Sequence, residues 1–428
     1  MQSLQYYKKI LTIVIFYDYA YDDKRPSSLF SSNLSHFNLL IRFLRLIIAF
    51  PLSLLAWALL RILSIRYKVS IYVLKTFRPA FTSTYVNMIE PLCRQLQHDD
   101  NPRHIKILVE PGEAAKDLLV ESYEPHFTMY LDDRRKFARL VTYLIPKSGI
   151  EKKFLNTSNK YDENWAFTPS ISYSNRLKQI PKDLRDLGIR PKNFVLFAHP
   201  SRNYYQQRMT PEQIDEIEVR FVDLSFYKDA LQKITQQQYF IVRVGLDVEP
   251  LPDILQSLKI IDYAGKSQFK SDQLWLYENC KFCISVSCGA FWLARRFNRP
   301  SIITDNYSYH DVFGYLSTLW TPRLVKDTDT GEILSFSKLL DAKNLSALGS
   351  TSRMKATQLT YIQNSPSTLV NAIDEMLALE DGVQKYSEVD LHLLNRYHKI
   401  YHSEYYAHQS GYVTPCISFL REYSFLLD

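Results

Sequence analysis

Several residues in the second half of this chain have the types and spacing to hold a phosphate. Arg243 and Gly245 close the apolar run Tyr239–Val244, and His199, Ser201 and Arg202 follow the run Asn193–Ala198. Ser285, Ser287 and Gly289 form the turn between the run Lys281–Val286 and the helical stretch Ala290–Phe297. A helix start fed by a Ser/Gly turn offers free N–H groups and a positive dipole end, both favourable to phosphate. An arginine beside it adds two parallel donors. The same residues also have plainer readings, Ser287 as an ordinary N-cap and Arg243 as a partly buried structural arginine. The sequence leaves both open.

Other constellations are weaker. Cys280 and Cys283 have the spacing of half a zinc site, but no second pair follows and Lys281-Phe282 between them reads as strand. Five cysteines in 428 residues suit a reducing compartment. Asp327-Thr328-Asp329 could hold a metal, yet Thr330-Gly331 after it reads as a β-turn. His398 and His402 share a helix face and read as a surface helix. No metal and no cofactor are expected. With 11 glycines, of which the closest two are Gly314 and Gly331, no GxGxxG, GxxxxGK[ST] or GxSxG exists. Classical dinucleotide dehydrogenases, P-loop NTPases, protein kinases and α/β-hydrolases are thereby excluded.

The elements that must position these residues alternate. His104–Val109 and Phe127–Leu131 read as strands, with helices expected over Glu113–Tyr123 and Arg134–Leu144. From Pro146 to about Arg185 no period is sustained, which predicts an inter-domain connection. Strands then follow at Asn193–Ala198, Tyr239–Val244, Leu258–Tyr263, Lys281–Val286 and Ser301–Thr304. Helices are expected from Ser225 (as cap) to Gln237, near Ser271–Glu278 and over Ala290–Phe297. Continuous apolar strands alternating with helices predict an α/β fold with a parallel sheet covered on both faces. Ligands of such sheets bind at the carboxyl ends of the strands, where the phosphate candidates lie.

The N-terminal quarter differs. Residues 24–89 contain no Asp or Glu but nine Lys and Arg, leaving 43 basic against 45 acidic residues elsewhere. The main domains therefore lack the basic stripes of a nucleic-acid groove, and an anionic membrane surface is the expected partner of this segment. Leu46–Leu60 is fifteen residues without a charge, extended to Ile65 only by including Arg61. It reads as an interfacial or re-entrant anchor, a true span, or a buried helix. The expected organisation is a basic N-terminal segment over 1–90 with an apolar helix at 46–65, a first Rossmann-like domain and linker over 91–185, a second over 186–380, and C-terminal helices over 381–428.

The order Arg220-x2-Asp223-x3-Tyr227, Val242-Arg243-Val244-Gly245, Ile261-Asp262-Tyr263-Ala264, Lys270-Ser271-Asp272, Cys280-Lys281-Phe282, Ser287-Cys288-Gly289 and Phe297-Asn298-Arg299-Pro300 resembles a family of bacterial glycosyltransferases found with surface-polysaccharide genes. More distantly it is similar to enzymes of the α1,6-fucosyltransferase type. The resemblance covers roughly residues 185–305, with an echo at Phe419-Leu420. It implies a GT-B-like pair of Rossmann-like domains and a hexosyltransferase-like, metal-independent enzyme. A nucleotide-sugar donor would sit in the C-terminal half and a glycan or lipid-linked acceptor in the N-terminal half, at the cytoplasmic face of the bacterial inner membrane.

Arg202, Arg243, Gly245, Ser285, Ser287 and Gly289 would then bind the donor diphosphate. Asp262, Tyr263, Lys270, Ser271 and Asp272 would bind nucleotide and sugar. An inverting transfer also needs a base for the acceptor hydroxyl. Glu110, Glu113, Asp132 and Asp133 stand at strand ends of the first domain, with His199 as the candidate in the second, and nothing in the sequence ranks them. The chain departs from the family pattern at three places: an insertion separates His199 from Arg202, one glycine is left in the turn ending at Gly289, and Trp275 replaces an acid. These departures carry the alternative, a non-catalytic, degenerate membrane-associated scaffold. A Golgi-type enzyme is a third reading, with sequons at Asn33, Asn156, Asn306 and Asn344.

The acid-free segment yields a first prediction. The full chain co-floats with anionic vesicles, and changing Arg42, Arg45, Arg61 and Arg66 together to Gln weakens that binding by about 1 kcal/mol per residue. Equal recovery of both proteins would refute a basic membrane contact.

Overall fold

The computed structural model describes four strands between residues 68 and 155, helical backbone at Ala58, Ile62, Ile65 and Arg66, and residues 180–428 apart from 208, 246–247, 265–270, 287, 289–290, 292, 295–296, 308, 310–317 and 402–413. The chain divides into two compact units. Ile62 and Ile65 are exposed, and the rest of the apolar stretch 46–65, apart from Ala58, lies outside the described residues. Among the described residues no helix is long and apolar enough to cross a membrane.

The first unit holds a parallel sheet of β1 (Lys68–Leu74), β2 (His104–Glu110), β3 (Met129–Asp132) and β4 (Ile150–Leu155), in the order β3-β2-β1-β4. Two of these strands were not expected. β1 lies inside the basic segment 1–90, pairing Val69 with Ile105 on one side and Ile150 on the other. β4 lies inside the expected connection 146–185, because IEKKFL carries three charges that hide its strand pattern. The helices expected over Glu113–Tyr123 and Arg134–Leu144 lie outside the described residues.

The second unit is built on a seven-stranded parallel sheet. In chain order its strands are β5 (Phe194–Ala198), β6 (Phe240–Val244), β7 (Ile261–Asp262), β8 (Cys283–Val286), β9 (Ser301–Asn306), β10 (Thr318–Pro322) and β13 (Thr414–Pro415). The spatial order is β13-β10-β9-β8-β5-β6-β7. β5, β8, β9 and β10 are buried along their whole length, as a sheet covered on both faces requires. The chain runs outward from β5 to β7 and returns to β8 on β5's other side. The strand order reverses between β5 and β8, which makes that gap the topological switch point.

Differences from expectation have local causes. Leu258–Tyr263 shortens to the two residues of β7 at the sheet edge. Ser225 does not cap the helix Lys228–Gln236; Asp223 accepts from Ser225 N at 2.9 Å and starts a short 3-10 turn instead. β10 (TLWTP) is polar enough to read as loop, and its register shifts at Pro322, which has no N–H to give. β11 (Leu324–Asp327) and β12 (Leu359–Ile362) form a separate antiparallel pair.

Two buried carboxylates bind the C-terminal segment. Glu375, on the helix Pro366–Glu380, accepts from Ile417 N at 2.9 Å, Ser418 N at 3.1 Å and Ser418 Oγ at 3.0 Å, satisfying the free N–H groups that start the helix Ile417–Glu422. Asp390, in the first turn of the helix Glu388–Tyr401, takes a bidentate pair from Arg421 at 2.7 and 2.6 Å. The Arg421 guanidinium, with Ser387 N, holds the Asp390 carboxyl well below the usual carboxylate range. A depressed carboxyl contributes stability above its unfolded value near pH 4 that is lost as pH falls further. Asp390→Asn should lower the melting temperature at pH 7 by roughly 3–12 °C and flatten the loss of stability below pH 4, as read by thermal melts across pH. An unchanged acid limb would exclude this pair as its source.

Candidate functional site at the carboxyl ends of β5, β6 and β8

Arg243 occupies the fourth position of β6, in register with Phe197 of β5 and Asp262 of β7. Its surface exposure is 0%. A guanidinium in that position must be hydrogen-bonded all round. Nε donates to His199 Nε2 at 3.1 Å, Nη1 donates to Asp262 Oδ2 at 3.0 Å, and Nη2 donates to the Glu249 carbonyl. Asp262 is half-exposed, and its other oxygen accepts from Ala264 N at 3.2 Å.

This arrangement settles the state of His199. Arg243 Nε can only donate, so His199 Nε2 must accept and the proton must lie on Nδ1, which donates to the Pro200 carbonyl at 3.0 Å. Burial and the Arg243 charge push the imidazole down to about 4. His199 is therefore corrected from catalytic base to structural acceptor, since its lone pair is in use and it is buried. Arg243 is corrected likewise: it positions the loops after β5, β6 and β7 and presents no surface to a diphosphate.

The loop after β6 is tied back to the loop after β5. Glu249 Oε1 accepts from the backbone N of Arg202 and from Asn203 N at 3.2 Å. Gly245 starts this loop at φ +148, where an added Cβ would lie 2.9 Å from Val248 Cγ1, so glycine is required there. Gln273 Nε2 reaches the Gly245 carbonyl at 3.4 Å. Arg202 makes a bidentate pair with Glu218 and lies 4.4 Å from the centroid of Phe221. Ser285 is fully buried and donates to the Cys288 carbonyl at 3.2 Å, so it shapes the turn after β8 and does not face a ligand. Tyr263 is buried, with its N bonded to the Arg243 carbonyl at 3.0 Å.

Of the expected site residues, His199, Arg202, Arg243, Gly245 and Asp262 are thus brought together, and Ser285 ends the strand next to β5. Ser271 and Asp272 open the helix Ser271–Asn279, with side chains outside the description; Lys270, Ser287, Gly289 and Glu113 lie outside it altogether. Trp275, at the position of the missing acid, is buried and stacks on Phe194 at 6.0 Å, so this helix position faces the core. In the other unit Glu110 and Asp132 are register partners at the carboxyl ends of β2 and β3, which puts two base candidates side by side. Asp327 Oδ1 accepts from Asp329 N and Thr330 N, both at 2.9 Å, as a turn residue does. His398 lies on the helix Glu388–Tyr401, and His402 is not described. Glu249 and Glu218 were missed, since nothing in the local pattern distinguishes a loop glutamate that caps a distant backbone.

No family model and no curated protein matches the chain. Among solved structures it is similar to the dodecameric iron-containing heptosyltransferase TibC of enterotoxigenic E. coli, in complex with ADP-D-β-D-heptose. That match has 13% identity and a TM-score of 0.38 over 60% of this chain and 63% of TibC. It is also similar to the E. coli ADP-heptose LPS heptosyltransferase II, at 14% identity and a TM-score of 0.41 over 68% of this chain and 98% of that one. A family 9 glycosyl transferase from Veillonella parvula matches at 11% and 0.39 over 60% and 87%. The chain thus spans less than two thirds of TibC. One fold carries many chemistries, so the functional reading has to rest on this chain's own residues.

The His199–Arg243 contact has a pH signature. A histidine depressed to about 4 contributes stability that is present above its ordinary 6.5 and is lost as pH falls from 6.5 to about 4. His199→Gln, which keeps an acceptor for Arg243 and cannot titrate, should remove that part of the decline in a pH series of melts. Arg243→Lys should lower stability at every pH by about 3–5 kcal/mol, because one ammonium cannot satisfy three partners in different directions. A native-like melt for Arg243→Lys would show that the three contacts are dispensable.

Proposed function

We propose that the chain is a glycosyltransferase that takes a sugar from a nucleotide-sugar donor and passes it to a glycan or lipid-linked acceptor in bacterial surface polysaccharide synthesis. Its proposed place is the cytoplasmic face of the inner membrane, held there by the basic N-terminal segment. The observation that carries this reading is the reversal of strand order between β5 and β8, with the Arg202 loop following the carboxyl end of β5. The ordered resemblance over residues 185–305 supports the same assignment.

In this reading the acceptor oxygen attacks the anomeric carbon as the bond from that carbon to the phosphate oxygen breaks. The nucleoside diphosphate leaves with the electron pair, and the acceptor proton passes to a general base. The leaving diphosphate needs positive charge and N–H donors as the bond breaks. Arg202 supplies the guanidinium, and Asp262, held rigid by Arg243 and half-exposed, supplies a fixed acceptor for hydroxyls. Metal independence belongs to the proposal, since guanidinium and backbone donors can neutralise a diphosphate.

One observation favours the alternative of a non-catalytic scaffold: Arg202 is already paired with Glu218. A thermal-shift panel of nucleoside diphosphates separates the two. The enzyme reading expects one nucleotide at 100 times its Kd to stabilise the protein by about 2.7 kcal/mol, equally with and without EDTA. Absence of any shift across the panel would favour the scaffold, and a shift lost in EDTA and restored by Mn²⁺ would overturn metal independence.

A further inference from the structure

Asp262 has more acceptor capacity than its structural bonds use. It ends the edge strand β7, in register with Arg243 of β6. Its Oδ2 accepts from Arg243 Nη1 at 3.0 Å and its Oδ1 from Ala264 N at 3.2 Å. Each carboxylate oxygen carries two lone pairs, so one is left on each oxygen. The Asp262 side chain is 41% exposed, while its partner Arg243 and the following Tyr263 and Ala264 are buried. A carboxylate held at both oxygens cannot turn freely, and its two remaining acceptors are open to solvent as a fixed pair. Neutralising an arginine does not require this. In the Arg421–Asp390 pair the carboxylate is the buried member, at 1%, and the arginine the exposed one, at 55%. Around Arg243 that order is inverted, which puts the acid on the accessible side.

Charge selects the class of ligand. The Asp262 charge is matched by Arg243, and Glu249, the other acid of this cluster, is turned to the backbone N–H groups of Arg202 and Asn203. A cation therefore gains little here, and a phosphate is repelled by the carboxylates. Neutral O–H donors are what the pair accepts, and two acceptors on one carbon match two hydroxyls on adjacent carbons. The pair also belongs to the candidate site. From Asp262 the bonds run through Arg243 Nη1 and Nη2 to the Glu249 carbonyl, and from Glu249 Oε1 to the backbone N of Arg202. One continuous set of contacts thus links Asp262 to the residue assigned to the diphosphate. In a nucleotide sugar the diphosphate stands between a ribose and a sugar, either of which can carry adjacent hydroxyls.

We propose that Asp262 is a specificity-determining residue that accepts both hydroxyls of a vicinal diol, supplied by the ribose of the nucleotide or by the sugar it carries. The identity of the ligand rests on the donor reading above, whereas the acceptor pair stands on the geometry alone. Arg243 is the positioning residue of that pair.

Calorimetry on the full chain tests it with the best nucleoside diphosphate of the panel, its 2′-deoxy and 3′-deoxy forms, and UDP-glucose, GDP-mannose and ADP-glucose, beside a melt of every variant. Wild type should bind the ribonucleotide about tenfold or more tightly than either deoxy form, because a site built to bond a hydroxyl rejects the analogue that lacks it. Asp262→Asn should bring those ratios to within about twofold, since one of its two groups then donates. Asp262→Glu keeps the charge near Arg243 and displaces the acceptor pair; it should do the same, and it serves where the Asn variant does not fold. Asp186→Asn, in the helix Lys182–Asp186, is the control for net charge and should leave the ratios as in wild type. Equal binding of ribo and deoxy forms, with the nucleotide sugars alone weakened about tenfold by the Asp262 variants, would uphold the diol and place it on the sugar. Folded Asp262 variants with every wild-type ratio intact would overturn the diol and leave the donor reading standing. A wild-type protein that binds none of these probes would remove the donor reading and the diol with it.

Discussion

Arg243 brings a full positive charge into the middle of a parallel sheet, and the architecture of the site follows from satisfying it. Parallel strands buried on both faces have no water to offer, so each donor of that guanidinium must find an acceptor in the chain. The acceptors come from three different strand ends: His199 after β5, the carbonyl of Glu249 after β6, and Asp262 at the end of β7. Three loops that vary freely in most doubly wound folds are thereby held to one point. The histidine is confined to one tautomer and to its neutral form, and Asp262 is fixed at the edge of the site with one face in solvent.

The same use of carboxylates recurs throughout the second unit. Glu249 meets the start of the helix Arg202–Gln206, Glu375 the start of Ile417–Glu422, and Glu216 the Ser352 N at 3.1 Å near the start of Thr351–Ala356. At these three helix starts acids from remote sequence meet backbone donors, at two of them beside the local caps Ser201 and Ser350. Asp305 serves the β9 end in this way: it is buried, accepts from Tyr227 Oη at 2.6 Å and Asn364 N at 2.8 Å, and is pushed up by its burial. Glu249 and Asp305, after β6 and at the end of β9, are thus committed to backbone N–H groups.

Much of the second unit was legible in the sequence. Runs such as NFVLFA, YFIVRV and KFCISV are apolar without alternation, and that pattern is dictated by burial on both faces, which needs no knowledge of neighbours. The positions of His199, Arg202, Arg243 and Gly245 at strand ends followed directly. The sequence could not decide what these residues do there. Whether a buried arginine faces ligand or protein depends on which acceptors arrive from other strands, and Asp262 and Glu249 reach it through pairing and loop paths that no local period encodes. β1, β4 and β10 escaped for a related reason: their residues are mixed in polarity, and they became strands because a parallel neighbour supplied the hydrogen bonds. Local hydrophobic pattern determined which segments would be core strands, and tertiary pairing alone decided which charges meet and therefore which side chains remain available for chemistry.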